Sequence, residues 1–228
     1  MKHFSKEFAF WLAMVINSLA IALLVKSEFG ISTLSSFPLV LSKVFPQISF
    51  GMTSTIFQTI MLIVLMLITH QPKMSYLFSF LISFIFGLLV DLMDILVAVL
   101  QNTFAWRIVM FAIGWVLISY GAALFIESGM PLMPNDCVVR DLASFTGKSV
   151  MKIKTTCDIA FVSSAIVLSL IVLNQLYGVG IGTIFMMFFT GSLTQRFMNL
   201  LSSRYQFVCS TKAGMWLNEI AAVKARRV

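Results

Sequence analysis

The chain of 228 residues is 59% hydrophobic and 11% charged, with a mean hydropathy of +0.97, whereas a soluble domain carries about 25% charged residues. So much apolar surface excludes a soluble fold and predicts one membrane domain with no appended soluble module. The formal charge of +7 does not point to nucleic acid, because the basic residues gather in loops on one side of the expected bundle.

Apolar runs predict six helices, over about residues 8–26, 51–69, 75–100, 105–127, 149–173 and 179–202, each close to the roughly 20 residues that cross a bilayer core. The first run follows Lys2 and Lys6 as a signal peptide would, but no small-residue cleavage signal comes after it. It is therefore expected to stay as a helix. Between the first and second runs lies Gly30 to Gly51, and between the fourth and fifth lies Gly129 to Ser149. Both segments are too short and interrupted to span, yet too apolar for ordinary loops. Two readings fit them: amphipathic helices on the membrane surface, or re-entrant segments.

Basic residues in short loops stay cytoplasmic. With the N-terminus inside, Lys2, Lys6, Lys73, Arg140, Lys148, Lys152, Lys154, Arg196, Arg204, Lys212, Lys224, Arg226 and Arg227 are cytoplasmic, and only Lys26, Lys43 and Arg107 fall outside. Both termini are therefore expected in the cytoplasm. Beyond a single transmembrane domain over residues 1–203, residues 204–228 read as a basic cytoplasmic tail. Trp216, Ile220 and Val223 there share the apolar face of an interfacial helix, or the tail is disordered.

The order helix, interrupted segment, helix, helix occurs twice, over about residues 8–100 and 105–202. A small-residue step recurs in the last helix of each unit, Phe86-Gly87-Leu88-Leu89-Val90-Asp91 against Thr190-Gly191-Ser192-Leu193-Thr194-Gln195. Three helices per unit is an odd number, so the second unit must be upside down relative to the first. The expected fold is all-α and polytopic: six transmembrane helices in two inverted three-helix repeats with interrupted or re-entrant segments. Secondary transporters often have this plan, with substrate held where the broken segments meet.

An ionisable group inside the bilayer is costly and marks function by default. Asp158, about nine residues into the fifth helix, is the foremost candidate; a local pair with Lys154 four residues earlier is the structural alternative. Asp91, with Asp94 behind it, shares a helix face with Gly87 and is read either as a cation or proton site or as the mark of a helix end. In Pro134-Asn135-Asp136, Asn135 or Asp136 is expected to cap a helix, and Asp136 to pair with Arg140. That start would present backbone amides and Arg140 to an anionic group. Gly191, Gln195 and Asn199 line one face of the sixth helix, with Arg196 alongside, and are expected to face protein or water rather than lipid.

The chemistry of an enzyme is missing. There is no GxSxG, HExxH or Walker loop, and Gly178-Val179-Gly180-Ile181-Gly182-Thr183 lacks the lysine of a phosphate loop. Its glycines fit close helix packing instead. Two histidines and three cysteines (Cys137, Cys157, Cys209) without metal spacing predict free thiols, no metal and no cofactor.

The run from Gly30-Ile31-Ser32 to Ser49-Phe50-Gly51, the step from Phe86 to Asp91, the Pro134-Asn135-Asp136 turn with Thr146-Gly147, and the Gly178 to Thr183 run together resemble the YczE/YitT-type bacterial integral membrane proteins, YczE-like branch, over roughly residues 10–200. The resemblance implies a multi-pass protein of the bacterial cytoplasmic (inner) membrane in a family of unassigned activity. It also implies two departures: Ser32-Thr33-Leu34-Ser35 lacks the acidic turn of the first half, and Asp158 stands where the family usually has Glu.

The function expected from these features is a small secondary transporter, proton- or cation-coupled, with a small molecule or ion as substrate and the lipid bilayer as its surroundings. Asp158 would bind the coupling ion, and Asp136, Arg140, Asn135, Asp91 and Gln195 would shape the site. The alternative is a substrate-binding or accessory membrane subunit without transport of its own. Six helices suit a homo-oligomer and an accessory subunit alike.

Overall fold

The computed structural model describes residues 2–70, 74–130, 133–211 and 215. In chain order the elements are β1 (Lys2–Ser5), α1 (Lys6–Ser27), α2 (Thr33–Val44), α3 (Phe50–Thr69), α4 (Met74–Ala98), α5 (Phe104–Ser128), α6 (Pro134–Thr146), α7 (Val150–Leu173), α8 (Ile181–Arg204) and β2 (Tyr205–Val208). Five of the eight helices among the described residues, α1, α3, α4, α5 and α7, are long and apolar enough to cross a membrane. The sixth expected helix, α8, is as long as α7, but Gln195, Arg196 and Asn199 make its second half more polar. The two interrupted segments contain helices of their own, α2 and α6.

Helix ends follow local chemistry. Ser5, Ser49 and Ser149 accept hydrogen bonds from the amides of Phe8, Met52 and Lys152 and so cap α1, α3 and α7. Gly129 and Gly147 end α5 and α6 in the left-handed conformation that glycine adopts without strain.

α1 forms the centre of the bundle. It lies against α4 and α5; α5 lies against α8; α3 lies against α4; α2 lies against α3 and α7; α6 lies against α3, α4 and α7. The largest core cluster joins Ala9, Phe10, Ala13 and Met14 of α1 to Phe86 and Val90 of α4, Ala123, Leu124 and Phe125 of α5 and Leu201 of α8. Small residues let the long helices approach closely, as Gly114 does against Ala20 and Leu24.

α2 meets α3 and α7 part-way along their length rather than at their ends. Phe37 of α2 and Phe161 of α7 both pack on Phe57 of α3, each with ring centroids 5.2 Å apart. At the end where the chain starts, β1 and β2 pair in parallel, Phe4 opposite Phe207. This pairing was not expected; it arises because α1 begins and α8 ends side by side. The Glu7 carboxylate then accepts from the amides of Ser210 and Thr211. The expected tail helix with Trp216, Ile220 and Val223 lies outside the described residues.

Candidate functional site

The start of α2 is held by a glycine crossing. Phe29 O accepts from the Gly182 amide at 2.8 Å, and Gly178 O accepts from the Ile31 amide at 3.3 Å. Gly30 has φ +111°, and a side chain there would strike Thr183 and Gly180. The Gly178 to Thr183 run thus serves packing, as expected from its lack of a lysine.

From that anchor Thr33, the first residue of α2, reaches Asp158, the ninth residue of α7, roughly 12 Å along that helix. The Thr33 hydroxyl donates to Asp158 Oδ1 at 2.9 Å. In the aromatic trio, Phe37 and Phe161 each lie one helical turn along from this pair. Lys154, expected as the partner of Asp158, acts electrostatically on Asp158 and also on Asp136 of α6. It is the cation shared by two sequence-predicted residues.

Asp91 has a structural job. Its carboxylate accepts from Ser49 Oγ at 2.5 Å and from the Gly51 amide at 2.7 Å, compensating the positive N-terminus of α3. Where Asp91 marks a helix end, it is the end of a neighbouring helix rather than its own.

α6 begins one residue before the expected caps. Met133 takes the cap position and Pro134 the first helical one, where its fixed φ fits and its missing N–H costs nothing. Asn135 and Asp136 therefore fall inside the first turn, Asn135 half-buried and Asp136 exposed. Arg140, expected to pair with Asp136, acts on it electrostatically but forms its close ion pair with its neighbour Asp141, Nε to Oδ1 at 3.0 Å. Asp141 is buried and also accepts from the Tyr76 hydroxyl of α4 at 2.6 Å. Asp141, which also holds the Tyr76 hydroxyl, takes the close ion pair with the guanidinium.

Gln195 and Asn199 do not face a neighbouring helix. They lie exposed on the outer face of α8, bonded to each other at 3.0 Å, with Arg196 exposed beside them. The reason lies at the two glycine steps: a Cβ on Gly87 would strike Thr55 and the Gly51 carbonyl, whereas Gly191 has open space. α3 and α4 cross tightly there, and α7 and α8 form no comparable interface.

Several polar residues that carry the α3–α4 seam were missed. With Gly51 opposite Gly87, Thr55 bonded to Ser83 O at 3.2 Å and Leu62 packed with Tyr76, the helices run antiparallel. Gln58 thus faces the turn of α4 between Ser79 and Ser83. Ser79 lies 3.3 Å from Cys137 Sγ of α6. Gln58 Oε1 and Ser83 Oγ are buried without a hydrogen-bond partner, although Gln58 Nε2 donates to Ser54 Oγ. Reading α4 backwards from Asp91 in steps of four gives Gly87, Ser83 and Ser79, a signal present in the sequence. Among the described residues Cys137, Cys157 and Cys209 form no disulfide.

Residues 4–199 match a family described as a family of unknown function (DUF6198). No curated protein and no solved structure matches the chain.

Proposed function

We propose that this chain, which belongs to the DUF6198 family of unknown function, is a small secondary-transporter-like protein. It would move a small solute through six membrane-spanning helices, α1, α3, α4, α5, α7 and α8, in two inverted halves. The contact pattern supports the inversion: α2 of the first half lies on α7 of the second, and α6 of the second lies on α3 of the first. Asp158 and Gln58 hold the same place, each the ninth residue of the helix so covered. The mid-helix contacts of α2 favour a re-entrant segment over a surface one. The charge bias favours both termini in the cytoplasm of a bacterial cell, in keeping with the resemblance to YczE/YitT-type proteins.

The observation that carries the proposal is the bond from Thr33 to Asp158. A carboxylate deep in one half, met by the start of the broken segment of the other half, is a site that opposite movements of the halves make and break. Asp158 would bind a proton or cation, and Asp136, Arg140 and Asn135 would form the matching face at α6. The test is solid-supported membrane electrophysiology on proteoliposomes across a panel of small solutes with imposed proton and sodium gradients. We expect gradient-dependent currents that Asp158→Asn abolishes and Asp158→Glu partly retains. Currents unchanged in Asp158→Asn, or no current for any solute, would sink the reading.

The exposed Gln195–Asn199 pair favours one alternative, an accessory membrane subunit whose partner helix covers that face of α8. Copurification of a second membrane protein that is lost in Gln195→Leu would replace autonomous transport with this role.

A further inference from the structure

A cavity of about 240 Å³ opens at the end of the bundle away from the strand pair, between the last turns of α1, α2 and α4 and the start of α3. Val25, Leu39, Ile48 and Phe50 supply its apolar wall, and Ser42, Ser49 and two opposite charges, Lys43 of α2 and Asp94 of α4, supply the larger polar part. Thr33 and Asp158 are not among its lining residues.

The other charged groups at this end have polar partners of their own. Glu28 pairs with Arg107, Asp91 is held by Ser49 and Gly51, and Lys26 Nζ donates to Ala98 O at 3.2 Å. The Ser42 and Ser49 hydroxyls in the wall are likewise committed, to Leu39 O and to Asp91. Among the described residues Lys43 and Asp94 form no ion pair, with each other or with a third group, although Lys43 and Lys26 both act electrostatically on Asp94. Lys43 rests instead over the Tyr177 ring, 5.2 Å from its centroid, which steadies the ammonium without neutralising it.

We propose that this cavity binds a small zwitterion with an apolar body, such as an α-amino acid. The ligand's carboxylate would meet Lys43, its ammonium Asp94, and its side chain the apolar wall at Leu39 and Phe50. At about 30 Å³ per water volume, the cavity takes a ligand of about eight non-hydrogen atoms, the size of such a molecule. A ligand with a single charge meets only one of these two exposed groups. A zwitterion satisfies both. This assignment goes beyond the transport proposal and does not rest on it, because binding at this end can be measured without flux.

The test is equilibrium binding of leucine to the purified full-length protein in nanodiscs by isothermal titration calorimetry, with butyrate and n-butylamine as single-charge probes. Leucine is expected to bind saturably, and butyrate and n-butylamine at least tenfold more weakly. Lys43→Gln and Asp94→Asn should each weaken leucine binding at least tenfold while the unfolding temperature stays unchanged. Should either variant misfold, Lys43→Arg and Asp94→Glu, which keep the charges, are expected to stay within a few-fold of the native affinity. The assignment is overturned if leucine does not bind, if a single-charge probe binds as tightly, or if a charge-removing variant binds like the native protein.

Discussion

Thr33 and Asp158, 125 residues apart in the chain, are joined by a hydrogen bond of 2.9 Å from the hydroxyl to the carboxylate. The bond links the first residue of α2 to the interior of α7, the interface on which the proposed site depends. Thr33→Val keeps the shape of the side chain and removes the donor. It should cost about 1.5 kcal/mol, the low end for a hydrogen bond to a charged group, because Asp158 is only half-buried. In the Asp158→Asn background the same change should cost less, and thermal unfolding of the four proteins in detergent reads this coupling as a double-mutant cycle.

The two glycine steps should respond oppositely to a methyl group. Gly51→Ala and Gly87→Ala place a Cβ against backbone or Thr55 at the α3–α4 crossing and should each destabilise by about 1–3 kcal/mol through overpacking. Gly191→Ala meets open space and should leave the unfolding temperature unchanged or slightly higher, since alanine is the better helix former. Equal losses at all three positions would show that α7 and α8 cross as tightly as α3 and α4.

Two aspartates in α6 should separate just as sharply. Asp141→Ala removes the acceptor of Arg140 Nε and of the Tyr76 hydroxyl at a buried site and should cost about 3 kcal/mol or more. Asp136→Ala, which breaks no close ion pair among the described residues, should cost less, about 1 kcal/mol. Chemical denaturation in mixed micelles compares them, and a larger loss at Asp136 would contradict the pairing of Arg140 with Asp141.

Gln58 offers a test that divides folding from function. Its Oε1 is buried without a partner, so Gln58→Leu, of similar volume, should be neutral or stabilising for the fold. If Gln58 is the first-half counterpart of Asp158, the same change should lower solute-driven currents at least tenfold. Full currents in a stable Gln58→Leu protein would assign the residue to packing alone.

The elements were largely legible in the sequence: the five long apolar helices fall within a few residues of their expected bounds, because hydropathy is a local property and serine caps and glycine stops sit at the ends. The candidate site was legible only by halves. Asp158 was visible as a charge inside an apolar run, but Thr33 was hidden, since a threonine in a polar segment carries no mark of its partner. Gln58 was hidden for the same reason, though the Ser79, Ser83, Gly87, Asp91 spacing on α4 pointed to the seam that it faces. The Asp136–Arg140 expectation held only as an electrostatic interaction, because spacing along one helix cannot register Asp141, one residue away, as the closer partner.

What the sequence determined by itself is the membrane character, the positions of the long helices and the two interrupted segments, all of which follow from how far apolar runs extend before polar or helix-breaking residues stop them. Tertiary structure decided which polar groups meet: Thr33 with Asp158, Arg140 with Asp141, Lys43 across a cavity from Asp94, and Gln195 on an open face. Those choices depend on the rotation of each helix about its axis and on which neighbour it packs against, and both are set by side-chain fit between segments far apart in the chain.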